Sequence, residues 1–518
     1  MDYIFGVGKR LSDFKDKIFP KSDPESYFRT DHLNTDLKGR SIRGGVVTIA
    51  SQIAKFLLQL GSTAILARLL TPKDYGLMGM VYVFINFISL FQDLGLSAAT
   101  IQKDQITHNQ VSNLFWVNVG LSTFIMLLTM SLSPVIAWFY GEPRLISITI
   151  VLACAFIFGG LTVQHQALLK RQMRFSALAI VDIISMLVGI VVAIAWAFWR
   201  KDYWALVMMQ LAMAFTTMVG VWLACGWRPG LPKRYSGAGS LLSFGGHLTG
   251  FNLLNYLSRN LDNILIGWKH GAEELGMYAK AYQLLLMPFE QINRPVALVA
   301  LPTLSRLQSE PERYLSYYNK AIALLVTMGM PLVVFMFVAA DKLILTILGG
   351  QWKEAILIFR LLAPAAFVST FNVAAGWVYI SLGRTDRQLR WGFITSIVDV
   401  ISFVVGVQWG AIGVATAYSI SRVLLRYPAI IFCYQGTFLK LWQLNRALWK
   451  PTVASLTAGI ALYGANLIWQ YEQRNSISML FDAILYTVFY FLCWVILPQG
   501  WQTLKEMLAL LKALKSKS

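Results

Sequence analysis

A chain of 518 residues with 56% hydrophobic and only 14% charged side chains cannot cover itself with an aqueous surface, since soluble domains carry about a quarter charged residues. A bilayer is therefore its main solvent, and apolar runs longer than the ~20 residues of a helical span, rather than ~10-residue alternating strands, exclude an outer-membrane barrel. The formal net charge of +19 would suggest nucleic acid in a soluble protein; here it reads as Lys and Arg holding cytoplasmic loops against anionic lipid.

Residues 1–43 are polar and basic, with nine Lys and Arg. They predict a cytoplasmic tail, no secretory signal, and a first helix that inserts as a signal anchor. Spans follow at about 45–67, 75–99, 112–140, 146–168, 176–198, 202–224, 240–266, 275–301, 316–339, 355–381, 390–408, 410–434, 449–470 and 479–499. Trp409-Gly410 divides two of these as a tight turn, and residues 501–516 have the pattern of an amphipathic helix lying on the membrane surface. With both termini inside, 29 Lys and Arg fall on the cytoplasmic side and 9 on the other, the bias that orients multi-pass proteins. Every connection is short, so no segment outside the bilayer is long enough for a catalytic domain. The four cysteines, Cys154, Cys225, Cys433 and Cys493, form no CxxC pair and read as small packing residues.

The chain repeats itself at an offset of 200. Leu57, Asp74, Gly76 and Tyr82 correspond to Leu257, Glu274, Gly276 and Tyr282. The local strings are Asp74-Tyr75-Gly76-Leu77-Met78 and Glu274-Leu275-Gly276-Met277-Tyr278, each placed in the outer loop between a first and a second helix. Six helices separate the copies, which makes the repeat parallel, and transporters built this way hold substrate between the halves.

Polar residues recur inside the spans at steps of three and four. Helix 1 carries Gln52, Lys55, Gln59 and Ser62; helix 2 carries Tyr82, Asn86, Ser89 and Asp93. Helix 7 carries Asn252, Asn255, Arg259 and Asp262; helix 8 carries Lys280, Gln283, Gln291 and Arg294, with Glu290 alongside. That spacing keeps each set on one helical face, and a charge at the bilayer centre costs about 3 kcal/mol unless it meets water or a partner. Helices 1, 2, 7 and 8 are therefore expected to line one central cavity. Its candidate substrate-binding residues are Lys55, Gln59, Asn255, Arg259, Lys280 and Arg294. Pairs are expected at Arg259 with Asp262 and Glu290 with Arg294, which leaves Lys55 and Lys280 least committed, with Asp93 as a partner for them. A mildly cationic cavity suits an anionic headgroup such as a pyrophosphate; the alternative is a set of structural ion pairs holding the bundle together. Arg422 and Arg426 read as snorkelling to the cytoplasmic face. Asp182 and Asp399 are isolated acids, either sites for a coupling proton or sodium ion or structural hydrogen-bond acceptors between helices. His165 and His247 near the cytoplasmic helix ends are the candidate pH sensors. No Walker-type loop, HExxH or paired loop acids occur, so neither enzymatic activity nor a cofactor or metal is expected.

The stretch Ala67-Arg68-Leu69-Leu70-Thr71-Pro72-Lys73-Asp74-Tyr75-Gly76 resembles the R-x-L-[ST]-P-x-[DE]-[YF]-G signature of Wzx-like polysaccharide flippases, in the multidrug/oligosaccharidyl-lipid/polysaccharide exporter superfamily. The string Leu275-Gly276-Met277-Tyr278-Ala279-Lys280-Ala281-Tyr282, then Pro288, Pro295 and Leu301-Pro302-Thr303-Leu304-Ser305-Arg306-Leu307, is similar to the colanic-acid exporter branch. The resemblance covers about residues 40–440. It implies two six-helix lobes in a V, with helices 1, 2, 7 and 8 at the cavity, and an undecaprenyl-pyrophosphate-linked oligosaccharide as substrate. Two extra C-terminal helices resemble those of the lipid II flippase, where they form a groove for the lipid tail.

The fold expected is an all-α integral membrane protein of about 14 transmembrane helices: two pseudo-symmetric six-helix lobes around a central cavity, plus two C-terminal helices. The parts are a tail at 1–43, lobes at 44–226 and 240–436, helices 13 and 14 within 449–499, and an amphipathic cytoplasmic tail at 500–518. The function expected is flipping of a lipid-linked oligosaccharide across a bacterial inner membrane by alternating access, for exopolysaccharide or O-antigen synthesis. Its partners would be membrane lipid and polysaccharide polymerase or export machinery, with no nucleic acid. The alternatives are a drug or cation antiporter of the same superfamily and a membrane-embedded polysaccharide polymerase or ligase. An antiporter needs a cavity rich in acids and aromatics, and a polymerase needs a sizeable catalytic outer loop.

Overall fold

The computed structural model describes residue 28 and residues 37–93, 95–103, 105–233, 239–469 and 476–505, without the side chains of 37–44, 46, 239–255, 257, 469 and 476. The tail at 1–43 and the amphipathic stretch past 505 lie almost wholly outside the described residues, as do the side chains of Asn252, Asn255 and His247. Every regular element among the described residues is helical. The helices are α1 (Leu37–Leu69), α2 (Pro72–Ser89), α3 (Leu96–Gln102), α4 (His108–Tyr140), α5 (Arg144–Ala153), α6 (Ala155–Arg171), α7 (Phe175–Arg200) and α8 (Trp204–Ala224). Then come α9 (Gly239–Arg306), α10 (Pro311–Val338), α11 (Ala340–Ile347), α12 (Ala355–Ser381), α13 (Thr385–Gly406), α14 (Gly410–Leu424), α15 (Arg426–Tyr434), α16 (Leu441–Trp469) and α17 (Ser476–Ile496). Contacts divide the chain into two compact units, 1–260 and 261–518, with the division inside α9.

In the first unit α1 packs on α7, α7 on α8, and α4 on α6. One core cluster joins Val111, Phe115, Leu168, Val181, Val221 and Trp227. The signature stretch opens α2. Thr71 is the N-cap, its hydroxyl accepting from the Asp74 N–H at 3.3 Å while the Asp74 carboxylate accepts from the Thr71 N–H at 2.9 Å. With Pro72 at the first helical position, this is a capping box that satisfies two orphan donors. Asp74 therefore lies in the first turn of α2, not in the loop expected for it.

The second span does not run unbroken to residue 99. It stops at Ser89, and a short α3 begins after Gly95, which sits at φ 73. Two side chains outcompete the helix. Asp93 accepts from the Ser97 N–H at 2.9 Å and hydroxyl at 2.5 Å, and Gln92 turns aside to donate to the Phe156 carbonyl at 2.9 Å. Such local bonds offer the backbone an alternative to its i→i−4 ladder. The fourth span is likewise two helices, α5 and α6, stepped at Cys154.

In the second unit, α10 packs on α12 and on α16, and α14 on both α12 and α13. The boundary between the seventh and eighth spans falls at one residue, Gly271, with φ 85 and ψ −174 inside α9. The Trp409-Gly410 turn occurs as expected, with Gly410 at φ 70 and ψ −158. Only glycine adopts such values without strain. Glu274 links the two turns: its carboxylate accepts from the Ala411 N–H at 2.9 Å, while His270 Nε2 meets the Val407 carbonyl at 2.6 Å. The repeat partners Asp74 and Glu274 thus both lie just inside a helix, one capping its own helix and the other capping α14. The C-terminal pair packs onto α10 through Val334, Ala454, Ala458, Tyr486 and Tyr490. It is also tied by Lys342 of α11, whose ammonium lies 2.6 Å from the Asp482 carboxylate. Lys342, expected in an outer loop, is instead mostly buried in that pair.

Eleven helical stretches among the described residues are long and apolar enough to cross a membrane. Two of them, Ser258–Arg306 and Thr385–Tyr434, hold 49 and 50 residues. At 1.5 Å per residue either would reach about 75 Å, more than twice a hydrocarbon core of about 30 Å, unless it turned. Each contains one of the glycine turns. The protein is a multi-pass helical membrane protein.

Candidate functional site

The polar stripe of α1 turns inward. Gln52, Lys55 and Gln59 are half-buried and Ser62 is buried, while Ile53 and Leu57 are 56% and 61% exposed. The Lys55 ammonium donates to the Asp182 carboxylate of α7 at 2.9 Å, with side chains 26% and 41% exposed. Lys55 is therefore not an uncommitted cation, Asp182 is not isolated, and the partner of Lys55 is Asp182 rather than Asp93, which holds Ser97. A pair between neighbouring helices relieves the desolvation of both charges at once, which is why it forms in preference to a loop contact. Arg259 is exposed. Tyr256, beside it, donates to the Val83 carbonyl of α2 at 2.9 Å.

The second unit carries a chain of polar groups. Asp262, 5% exposed, accepts from the Tyr278 hydroxyl at 2.9 Å and from the Asn263 N–H at 2.8 Å. Its expected pairing with Arg259 is replaced by these bonds, because a buried carboxylate needs donors that are buried with it. Tyr278 stacks on Tyr282 at 6.1 Å between ring centroids, and the Tyr282 and Tyr418 hydroxyls lie 3.3 Å apart. Arg422 sits over the Tyr418 ring and donates to Asp399 at 2.6 Å. Asp399 is thus paired rather than isolated, and Arg422 points into the bundle rather than snorkelling. Arg426, one turn further, is 4% exposed and does not snorkel either. Lys280 donates to Gln283 at 3.0 Å. Glu290 and Arg294 form the expected pair at 3.0 Å, both about half exposed. Arg360 pairs with Asp341 at 2.7 Å.

Two sets of residues escaped the sequence reading because they carry no charge. The tyrosines Tyr278, Tyr282 and Tyr418 are one; the step of four between Tyr278 and Tyr282 on α9 was the available signal, and Tyr418 comes from α14. The other is a buried amide chain in the first unit. Thr100 donates to Gln164 at 2.9 Å, Gln164 to Asn118 at 2.8 Å, and Asn118 reaches the Gln92 carbonyl at 3.5 Å. It anchors the break after α2 against α4 and α6. Arg171 completes it by donating to the Thr100, Ile101 and Lys103 carbonyls at 3.2, 3.3 and 2.5 Å. His165 is fully buried, stacked on Trp222 at 4.4 Å and packed between Phe115 and Trp227.

The fold matches that of a lipid II flippase, MurJ, in its inward closed conformation, with TM-score 0.69 and 12% identity over 88% of this chain and 98% of that one. A multidrug resistance MATE family transporter in its inward-facing conformation aligns with TM-score 0.57 and 15% identity over 76% of this chain and 94% of that one. Among curated proteins, the teichuronic acid biosynthesis protein TuaB of Bacillus subtilis is 27% identical, covering 86% of this chain and 93% of its own. The lipopolysaccharide biosynthesis protein WzxC of Escherichia coli is 23% identical over 83% and 89%, and the succinoglycan biosynthesis transport protein ExoT of Rhizobium meliloti is 22% identical over 62% and 65%. A family model described as polysaccharide biosynthesis protein matches residues 65–357, a stretch that opens three residues before the Arg68 signature and runs through both repeat copies; the chain belongs to that family.

Proposed function

We propose that the protein is a flippase, not an enzyme, that carries an undecaprenyl-pyrophosphate-type lipid-linked oligosaccharide from the cytoplasmic to the periplasmic leaflet of a bacterial inner membrane. The observation that carries this reading is Lys55 with Asp182: two charges inside membrane spans, paired yet partly exposed, on the face opposite the apolar Ile53 and Leu57. Ionisable groups so placed face a wet chamber rather than lipid. Membership of a polysaccharide biosynthesis family and relatives named for teichuronic acid, lipopolysaccharide and succinoglycan biosynthesis support the substrate class.

The crossing number follows from dividing the two overlong stretches at Gly271 and Gly410 and counting α2, which brings eleven to fourteen. An even number and the surplus of Lys and Arg on one side put both termini in the cytoplasm. The functional parts are then lobes at 44–226 and 240–436 that rock about the substrate, with helices 13 and 14 in 449–499 against the isoprenoid tail.

The pyrophosphate enters by exchange. It competes with the Asp182 carboxylate for the Lys55 ammonium, so one anion replaces another and no bare charge is left. Lys280 and Arg259 add charge, while Gln59, Asn255 and Arg294 donate to the sugar or phosphate oxygens. Glu290 holds Arg294, Asp262 holds Tyr278 on the helix that carries Lys280, and Asp399 holds Arg422; Asp182 or Asp399 is where a coupling proton or sodium ion would act. The covalent structure of the lipid is unchanged throughout.

The test uses proteoliposomes loaded with a labelled lipid-linked oligosaccharide. Wild-type protein should move the headgroup between leaflets without altering it; Lys55→Ala and Lys280→Ala should insert normally and slow movement at least tenfold. Full activity in both variants removes these lysines from the site. Drug extrusion without headgroup movement would mark an antiporter, and a lengthened glycan a polymerase.

A further inference from the structure

Two arginines are fully buried among the described residues, Arg171 at 6% and Arg426 at 4% exposure. Arg171 donates to four backbone carbonyls. Arg426 donates to nothing: its Nε, Nη1 and Nη2 are all buried without a hydrogen-bond partner. Its guanidinium lies over the Phe371 ring, 3.7 Å from the centroid. The ring face attracts the charge but satisfies none of its five N–H donors. One turn earlier on the same face Arg422 has Asp399 as counter-ion, so the bundle supplies an acid to one arginine and withholds it from the next. A buried cation without counter-charge is unfavourable and survives where function requires it.

The core that holds Phe371 also carries phenol hydroxyls. Tyr318 and Tyr434 belong to the core cluster that holds Phe371, the ring under the guanidinium; their hydroxyls lie 2.9 Å apart, and Tyr318 also donates to the Ala374 carbonyl at 3.4 Å. Tyr379, in the same core cluster as Phe371, has a buried hydroxyl with no partner. A delocalised, planar cation without a carboxylate, in a core that also holds phenol hydroxyls, is a donor set for a phosphoryl group.

We propose that Arg426, with Tyr318 and Tyr434, forms a phosphoryl-binding subsite within the second unit, closed over by Phe371 in this conformation. The site rests on the flippase reading only in taking its phosphoryl group from the lipid-linked substrate; the chemistry equally fits a free diphosphate.

The experiment is thermal unfolding of the full-length detergent-purified protein with and without inorganic pyrophosphate or farnesyl diphosphate. Wild-type protein should be stabilised by a diphosphate. Response to both probes identifies any accessible diphosphate as ligand, and response to farnesyl diphosphate alone identifies the lipid headgroup. Arg426→Met should melt higher than wild type without ligand, because the unpaired charge is gone, and should lose the diphosphate response at least tenfold in apparent affinity. Tyr434→Phe, which keeps the cation, should weaken it several-fold. An Arg426→Met variant that melts lower and binds as wild type does, or a wild type that responds to neither probe, overturns the subsite. Undiminished flipping by Arg426→Met also sinks the subsite and leaves the flippase standing; diphosphate binding without any flipping does the reverse.

Discussion

At the scale of single residues, the charges inside the spans act in pairs, and pairing changes what a substitution reports. Removing Lys55 leaves Asp182 without its counter-ion, so loss of transport in Lys55→Ala mixes a structural with a binding effect. A charge swap separates them. Because the pair is partly exposed, its contribution to stability is modest, about 1 kcal/mol or less. The double variant Lys55→Asp with Asp182→Lys should recover the melting temperature of the wild type. If Lys55 holds substrate from α1, flipping stays at the level of Lys55→Ala; recovery of flipping in the swap would make the pair purely structural. Lys55 and Asp182 stood out in the sequence as charges in apolar runs. That they belong to each other did not, because residues 127 positions apart meet only through the packing of α1 on α7.

Among the elements, the interruption after α2 is the feature on which the first unit turns. Gln92 and Asp93 stop the helix; the space for Gln92 comes from Gly159 of α6, and the next residue, Gly160, lets α4 approach α6 closely. A Cβ on Gly160 would sit 2.5 Å from Ser122 Oγ and 3.0 Å from the Asn118 carbonyl. Gly160→Ala should therefore lower stability by about 1–3 kcal/mol through overpacking, read as a shift in thermal unfolding. Ser122→Gly in the same chain should return part of the loss, because it removes one of the two clashes; no rescue would mean that α4 and α6 are not in contact there. Helix periodicity made α2 legible as a span over 75–99 but could not show the break. Gln92, Asp93 and Gly95 are compatible with a continuous helix, and only their bonding to α3, α4 and α6 decides against it. The turn at Trp409-Gly410 is legible in the sequence only as a division between spans at 390–408 and 410–434, and Gly271 falls unmarked between those at 240–266 and 275–301.

For the molecule as a whole, the proposed fourteen crossings with both ends inside make a labelling prediction. In a chain with Cys154, Cys225, Cys433 and Cys493 replaced, a cysteine at the exposed position Lys353 should react with an impermeant maleimide in intact cells. One at the exposed position Asp386 should react only after permeabilisation. The same accessibility at both positions would break the topology and, with it, the direction of transport. Composition alone established that the solvent is a bilayer and the structure helical, because neither 14% charge nor apolar runs of this length admit another answer. The Arg68–Gly76 signature and the 200-residue repeat pointed to the family, and the positions of the intramembrane charges were plain, since each is costly wherever it lands. Partnership was decided only in three dimensions. Lys55 with Asp182, Arg422 with Asp399, Tyr278 with Asp262, and Arg426 with no acid at all depend on which helices pack and at what rotation. Periodicity fixes the face a residue occupies, but the neighbour that face meets is set by long-range packing.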